Sequence, residues 1–203
     1  MRLNPIEKTL MNNPIRAAFQ RHVEARGLKH LGGRMTGGLA LEMGCGRGIG
    51  ARIIIEEFGA DMVHAFDLDS HMVRLARRVV LEAEKPSVFW VGNAVSIPAR
   101  DNSFDAVFDF GAIHHIVHWR DAICEVFRVL KPGGRFYVEE ILRKYIVHPL
   151  FRRILTHPQE DRFDHGCFIE ALQKSGFRII DTDSFMQLYG WFIADKPDKL
   201  NDP

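Results

Sequence analysis

Residues 39–53, LALEMGCGRGIGARI, run from an apolar stretch into Gly44, Gly46, Gly48 and Gly50. Glycines at such a turn permit positive φ and let the backbone approach a ligand closely. A helix starting inside the run would present unsatisfied amides to a carboxylate or a phosphate. The same residues could also make a tight strand-to-helix turn with no ligand. Gly46, Gly48 and Ala51 satisfy the dinucleotide pattern G-x-G-x-x-A, and Asp67 lies 21 residues beyond Gly46, near the usual place of a ribose-binding acid. A nicotinamide- or flavin-binding oxidoreductase is therefore one reading of these residues.

His114 and His115 are the next residues with chemistry to offer. They follow an apolar run and would stand on the rim of a pocket, as a substrate contact or a base at neutral pH. HHIVH lacks the acid of an HExxH motif and no cysteine pair joins it, so no metal set is expected. Cys45, Cys124 and Cys167 are far apart and odd in number, which argues against a disulfide framework and for a reducing cytoplasm. Periodicity puts Cys124 in the core of its helix. Cys167 has no paired base to make it a nucleophile.

The elements that must position these residues alternate along the chain. Apolar runs at 39–43, 62–66, 87–91, 104–110 and 134–139 read as strands, and helical patterns occupy about 49–58, 71–83 and 119–130. That order implies a mostly parallel, right-handed, doubly wound sheet: a three-layer, Rossmann-like α/β fold. The stretch 92–103 has little room for a helix. A helix near 165–175, closed by Gly176, precedes FRIIDTD and SFMQLYGWFIA, two strand-like runs with no crossover between them. They should be an antiparallel pair, giving seven strands in all. Pro132, Gly133 and Gly134 would end a helix whose apolar face is Ala122, Val126, Val129 and Leu130. Asp105 would order the loop before the fourth strand.

Around this core, residues 1–13 read as a flexible arm and 14–38 as a helix and loop. Pro14 can start that helix, Gly27 can end it, and Ile15, Phe19 and Val23 recur at helical spacing. Residues 39–140 form the cofactor-binding core, 141–175 a cover and helix, and 176–195 the terminal strand pair. One domain accounts for a chain of 203 residues. The net charge of +1 argues against a nucleic-acid partner, and no apolar run is long enough for stable membrane insertion. The first residues do not read as a secretory signal.

LEMGCGRG resembles motif I of the class I S-adenosylmethionine-dependent methyltransferases, an acid followed by GxGxG. VHAFDLD, GNAVSIPARDNSFDAVFDFGAIHHI and RVLKPGGRFYVEE are similar to later motifs of that family, so the likeness spans residues 39–140. The resemblance implies that Gly44, Cys45, Gly46 and Gly48 wrap the methionine end of S-adenosylmethionine. It implies that Glu42 orders the loop amides and reaches the cofactor ammonium through water, and that the Phe110–Gly111 backbone faces the same ammonium. Asp67 would bind both ribose hydroxyls, and Leu68 would pack on the adenine. Asn93 stands where the family usually has an acid near the adenine amino group. Its amide oxygen can still accept there, with the Ala94 amide facing a ring nitrogen.

No catalytic residue follows from the resemblance; His114, His115 and Tyr145 are the candidates. There is no NPPY-like segment and no Pro-Cys nucleophile after the fourth strand, which argues against common nucleic-acid and protein-glutamine acceptors. The core pattern is closest to the quinone, sterol and natural-product group, with a small-molecule acceptor, apolar or anionic. A protein or RNA methyltransferase, and a non-catalytic cofactor-binding module, remain alternatives. The oligomeric state is not legible. Residues 141–158 place an apolar stripe with Tyr145 beside Arg143, Lys144, Arg152 and Arg153, readable as a packed helix, as a lid over the acceptor, or as a membrane-surface contact.

Overall fold

A computed structural model describes residues 13–80, 86–147 and 160–198. The arm 1–12 and most of the proposed lid, 148–158 with Arg152 and Arg153, lie outside the described residues.

The chain opens with α1 (Pro14–Phe19), a π-turn (Gln20–Glu24) and α2 (Ala25–Gly32). Asn13 caps α1 by accepting from the Arg16 amide at 2.8 Å, and Pro14 costs no hydrogen bond in the first turn. Next come β1 (Leu39–Met43), α3 (Ile49–Ile53) continuing as a π-turn (Ile54–Phe58), β2 (Met62–Asp67), α4 (Ser70–Val80) and β3 (Ser87–Val91). β4 (Phe104–Phe110) leads into a 3₁₀ turn (Ile113–His115), then α5 (Trp119–Val129) and β5 (Leu130–Ile141). The last elements are α6 (Arg143–Ile146), α7 (His165–Lys174), β6 (Arg178–Phe185) and β7 (Tyr189–Asp195).

The strands form one sheet in the order β3-β2-β1-β4-β5-β7-β6. The first five pair in parallel, and β7 runs antiparallel to both β5 and β6. The fold expected from the strand–helix alternation is the fold observed. Between β1 and β4 the order reverses, and a crevice opens there at the carboxyl ends of parallel strands. Each face of the sheet has its own apolar core. Phe136, Phe168, Trp119 and Ile123 fill one; Phe58, Phe108, Tyr137 and Ile193 fill the other, with the Phe108 and Tyr137 rings stacked at 4.5 Å. Asp105 ties this frame together as expected, accepting from the Leu39 amide at 2.8 Å and from Lys131 Nζ at 2.7 Å.

Several local expectations fail, each for a reason periodicity does not carry. Gly27 does not end the first helix. It sits inside α2 against the Trp191 indole, and the stop is Gly33, at φ 69°. Ile15, Phe19 and Val23 form a face, but that face is exposed; the buried side is Glu24, Ala25, Leu28 and Gly32. An apolar stripe marks one side of a helix without saying what covers it. Cys124 is exposed, because the buried face of α5 runs through Ile123 instead. Pro132, Gly133 and Gly134 do not separate α5 from a later strand. They lie inside β5, whose pairing with β4 is irregular between Phe104 and Ala106. The hairpin turn falls within the run expected to be the last strand: Met186 and Gln187 adopt positive φ between β6 and β7.

Candidate active site

A cavity of about 340 Å³ lies over the carboxyl ends of β1, β2 and β4. Glu42, Gly44, Cys45, Gly46, Asp67, Leu68, Asn93, Ala94, Phe110 and Gly111 all line it, together with His115. Residues scattered over 70 positions of sequence are thus brought to one wall by the strand order. Gly48 is not in the wall. It takes the left-handed φ of 88° that lets α3 begin.

The glycine loop is held by its own backbone. The Cys45 amide donates to the Phe66 carbonyl at 2.9 Å, and the Gly48 amide donates back to the Cys45 carbonyl at 2.8 Å. Two glycines are required by space. A Cβ on Gly44 would strike Ala112 at 2.5 Å, and one on Gly50 would fall on the Glu42 carboxyl. Asp67 closes the loop from the β2 side: its Oδ2 accepts from the Gly46 amide at 3.0 Å and its Oδ1 from the Asp69 amide at 2.8 Å. Asn93 Oδ1 accepts from the Val95 amide at 3.3 Å.

Glu42 is buried in the cavity wall, and its Oε2 has no hydrogen-bond partner. Burial, then the neighbouring charge of Asp67, pushes its carboxyl well above the usual range. An orphaned buried carboxyl oxygen is costly unless something else satisfies it. A bound cation with N–H donors would do so. The cavity, the glycine cradle and this oxygen fit a ligand that carries an ammonium group.

The two histidines separate. His115 lines the cavity, whereas His114 is not on the rim as expected. His114 is buried and held by Glu140, whereas His115 is half-buried at the cavity. The His114 amide donates to Glu140 Oε1 at 3.1 Å, and His114 Nδ1 lies 2.7 Å from Oε2. Arg162 clamps the same turn by donating to the His114 carbonyl at 2.6 Å and the Ile116 carbonyl at 3.3 Å. The His114 ring stays against His115 at 4.1 Å. Tyr145 is not in the cavity wall; its ring meets Tyr189 at 5.7 Å.

Behind the wall stand carboxyl groups that the sequence reading passed over. Asp109, Glu139 and Glu140 are all buried at the ends of β4 and β5. Burial, then the Glu140 charge, pushes Asp109 well above the usual carboxylate range. Burial raises Glu140 to about 7, against the hydrogen bonds from Asp109 and the His114 and Ile141 amides. Burial, then the charge of Glu24, raises Glu139 likewise. The available signal was acid inside apolar strands, in FDAVFDF and FYVEEI. Also missed were Arg16, Ala17 and Gln20, which roof the cavity from the N-terminal helix. Nothing in their local pattern points there.

Residues 41–138 match the methyltransferase domain family described as Methyltransf_11. The sterol 24-C-methyltransferase erg6 of Aspergillus fumigatus is 35% identical over 193 residues, covering 92% of this chain and 49% of that protein. The demethylmenaquinone methyltransferase of Lactiplantibacillus plantarum is 27% identical over 169 residues, covering 74% of this chain and 70% of that protein. The chain spans about half or less of the length of several such relatives. Among solved structures, a SAM-dependent methyltransferase from Aquifex aeolicus superposes with a TM-score of 0.76 at 19% identity, covering 96% of this chain and 100% of that one. Motif order, strand order and the matched family agree: residues 41–138 of this chain are a methyltransferase domain.

Proposed function

We propose that the protein transfers the methyl group of S-adenosylmethionine to an oxygen, nitrogen, carbon or sulfur of a small-molecule acceptor. The observation that carries this reading is Glu42, a buried carboxyl with an orphaned oxygen, lining the same glycine-cradled cavity as Asp67. The cofactor supplies an electrophilic methyl on its sulfonium, so the hard chemistry is not the protein's.

The chain's own residues bind, orient and exclude water. Glu42 and the Gly111 backbone would hold the ammonium end, Asp67 the ribose, and Asn93, Ala94 and Leu68 the adenine. Loop glycines Gly44, Gly46 and Gly48 let the backbone close around the ligand. Orienting the acceptor behind the methyl supplies much of the rate without any base. Where the acceptor holds a proton, His115 and His118 are the cavity histidines available to take it, with His114 packed against His115. Ile116 and Val117 add apolar wall on the same side, which suits an apolar acceptor, as do the sterol and demethylmenaquinone named for two relatives. Three free cysteines, one of them exposed, suit a reducing cytoplasm. No helix among the described residues is long and apolar enough to cross a membrane.

Calorimetry tests the reading directly. S-Adenosylhomocysteine should bind saturably and NADH should not; the reverse result would overturn the proposal. A second readout comes from Glu42. A cation held beside it favours its ionised form, so binding of S-adenosylmethionine should release a proton. The observed heat should then depend on the ionisation enthalpy of the buffer, and that dependence should vanish in Glu42→Gln.

A further inference from the structure

We propose that Arg162 is a positioning residue for methyl transfer: it holds the turn that carries His115 and so fixes the acceptor-side wall of the cavity. The proposal rests on the methyl-transfer reading, in which cofactor and acceptor meet in that cavity. Four consecutive residues, His115, Ile116, Val117 and His118, line it. None of them belongs to the set assigned to the ammonium, the ribose or the adenine, so this stretch is wall left for an acceptor. Arg162 itself is only 7% exposed, an uncommon place for a guanidinium. Its hydrogen bonds all go to main-chain carbonyls. Nε donates to Glu160 at 2.8 Å, Nη1 to His114 at 2.6 Å and Nη2 to Ile116 at 3.3 Å. It forms no ion pair among the described residues; the neighbouring Asp161 pairs with Arg120 instead.

The two carbonyls gripped on the turn stand on either side of His115. The turn's own bonds use others: the His115 amide donates to the Ala112 carbonyl at 3.1 Å and the Ile116 amide to the Ile113 carbonyl at 2.8 Å. The carbonyls of His114 and Ile116 are left over, and one planar fork takes both. The same segment is tied down elsewhere. Trp119 Nε1 donates to the Asp161 carbonyl at 2.9 Å, and the Arg143 amide donates to the Phe163 carbonyl at 2.9 Å. The wall residues 115–118 are therefore anchored at both ends, by a side chain 48 positions from the turn and by the start of α5. Burying a guanidinium against carbonyls alone is costly, and burial pulls Arg162 below the usual arginine range. What the arrangement achieves is a wall of fixed shape. In-line transfer needs that, since a misplacement of about 1 Å can cost about 100-fold in rate.

NMR of the full chain, isotope-labelled at histidine, tests this without knowing the acceptor. The His115 imidazole signal, assigned by its loss in His115→Gln, should be single and sharp in the wild type. In Arg162→Met it should shift and its line width should roughly double or more, as the freed turn exchanges on the μs–ms scale. Arg162→Lys keeps the charge and a donor, but one ammonium does not span both carbonyls, so its signal should fall between. Lys196→Met removes a different cation from main-chain carbonyls, those of Phe127 and Leu130. It should lower the melting temperature and leave the His115 signal in place. S-Adenosylhomocysteine affinity should stay within about threefold of wild type in both Arg162 variants, because Glu42, Asp67 and Asn93 are untouched. The proposal fails if the His115 signal is unchanged in either Arg162 variant that folds, or if Lys196→Met moves it as far. A wild type that does not bind S-adenosylhomocysteine would defeat the methyl-transfer reading instead, while the His115 signal still decides the role of Arg162 at the turn.

Discussion

Glu140→Ala should cost about 3–5 kcal/mol of folding stability, the usual consequence of removing one partner from a buried charged pair. Glu140 has no exposed surface, and its two oxygens collect the His114 amide, His114 Nδ1 and the Ile141 amide. Truncation leaves those donors facing a void that water cannot readily fill. Glu140→Gln keeps the shape and one acceptor, so it should recover part of the loss. In a protein of this size, 3–5 kcal/mol corresponds to a fall in Tm of roughly 6–20 °C. Chemical denaturation with matched m-values would check the figure, and a loss below about 1 kcal/mol would show that the network is not a structural support.

The same residue gives the stability curve its pH dependence. Glu140 is raised from 4.5 to about 7 in the folded protein. The folded state therefore binds more protons than the unfolded state between those values. Its stabilising contribution is complete below about pH 4.5 and is lost as the pH rises through about 7. Glu42, Asp109 and Glu139 shift in the same direction and extend the loss upward. The carboxylates held low by cations, Glu56, Asp105 and Glu125, contribute in the opposite sense only below their ordinary range. The ligand-free protein should thus be most stable near pH 5 and melt at lower temperature as the pH approaches 8. Glu140→Gln should flatten that slope.

Asp67→Ala should weaken S-adenosylhomocysteine binding about 10- to 150-fold, the equivalent of losing about 1.5–3 kcal/mol of charge-assisted hydrogen bonding. The side chain stands in the cavity wall and also accepts the Gly46 and Asp69 amides, so its removal loosens the glycine loop as well as the ligand contact. Asp67→Asn retains an acceptor for one of those amides and should fall between. Calorimetry gives the affinity and a melting curve confirms folding. Unchanged affinity in a folded Asp67→Ala protein would remove Asp67 from the site.

The motif-bearing wall was legible because class I motifs follow the strand ends in sequence. Once β1, β2 and β4 are placed, Glu42, Asp67 and Phe110 must face the same crevice. The split between His114 and His115 was not legible. The two rings lie 4.1 Å apart, and which of them is buried is decided by a partner 26 positions away. Tyr145 shows the same limit: its ring is drawn to Tyr189 on the terminal hairpin, 44 residues on, and not to the cavity.

Local composition and period by themselves determined the order of strands and helices, the antiparallel end of the sheet and the glycine turn. These are consequences of short-range physics: side-chain alternation, helix period and backbone freedom. Tertiary structure alone decided which faces are covered. Ile15, Phe19 and Val23 carry the period of a buried stripe yet face outward, while Asp109, Glu139 and Glu140, acids by type, lie in the interior. Burial belongs to what packs against a residue. The energy of an ion or an apolar group depends on that surrounding medium, which no run of neighbours along the chain specifies.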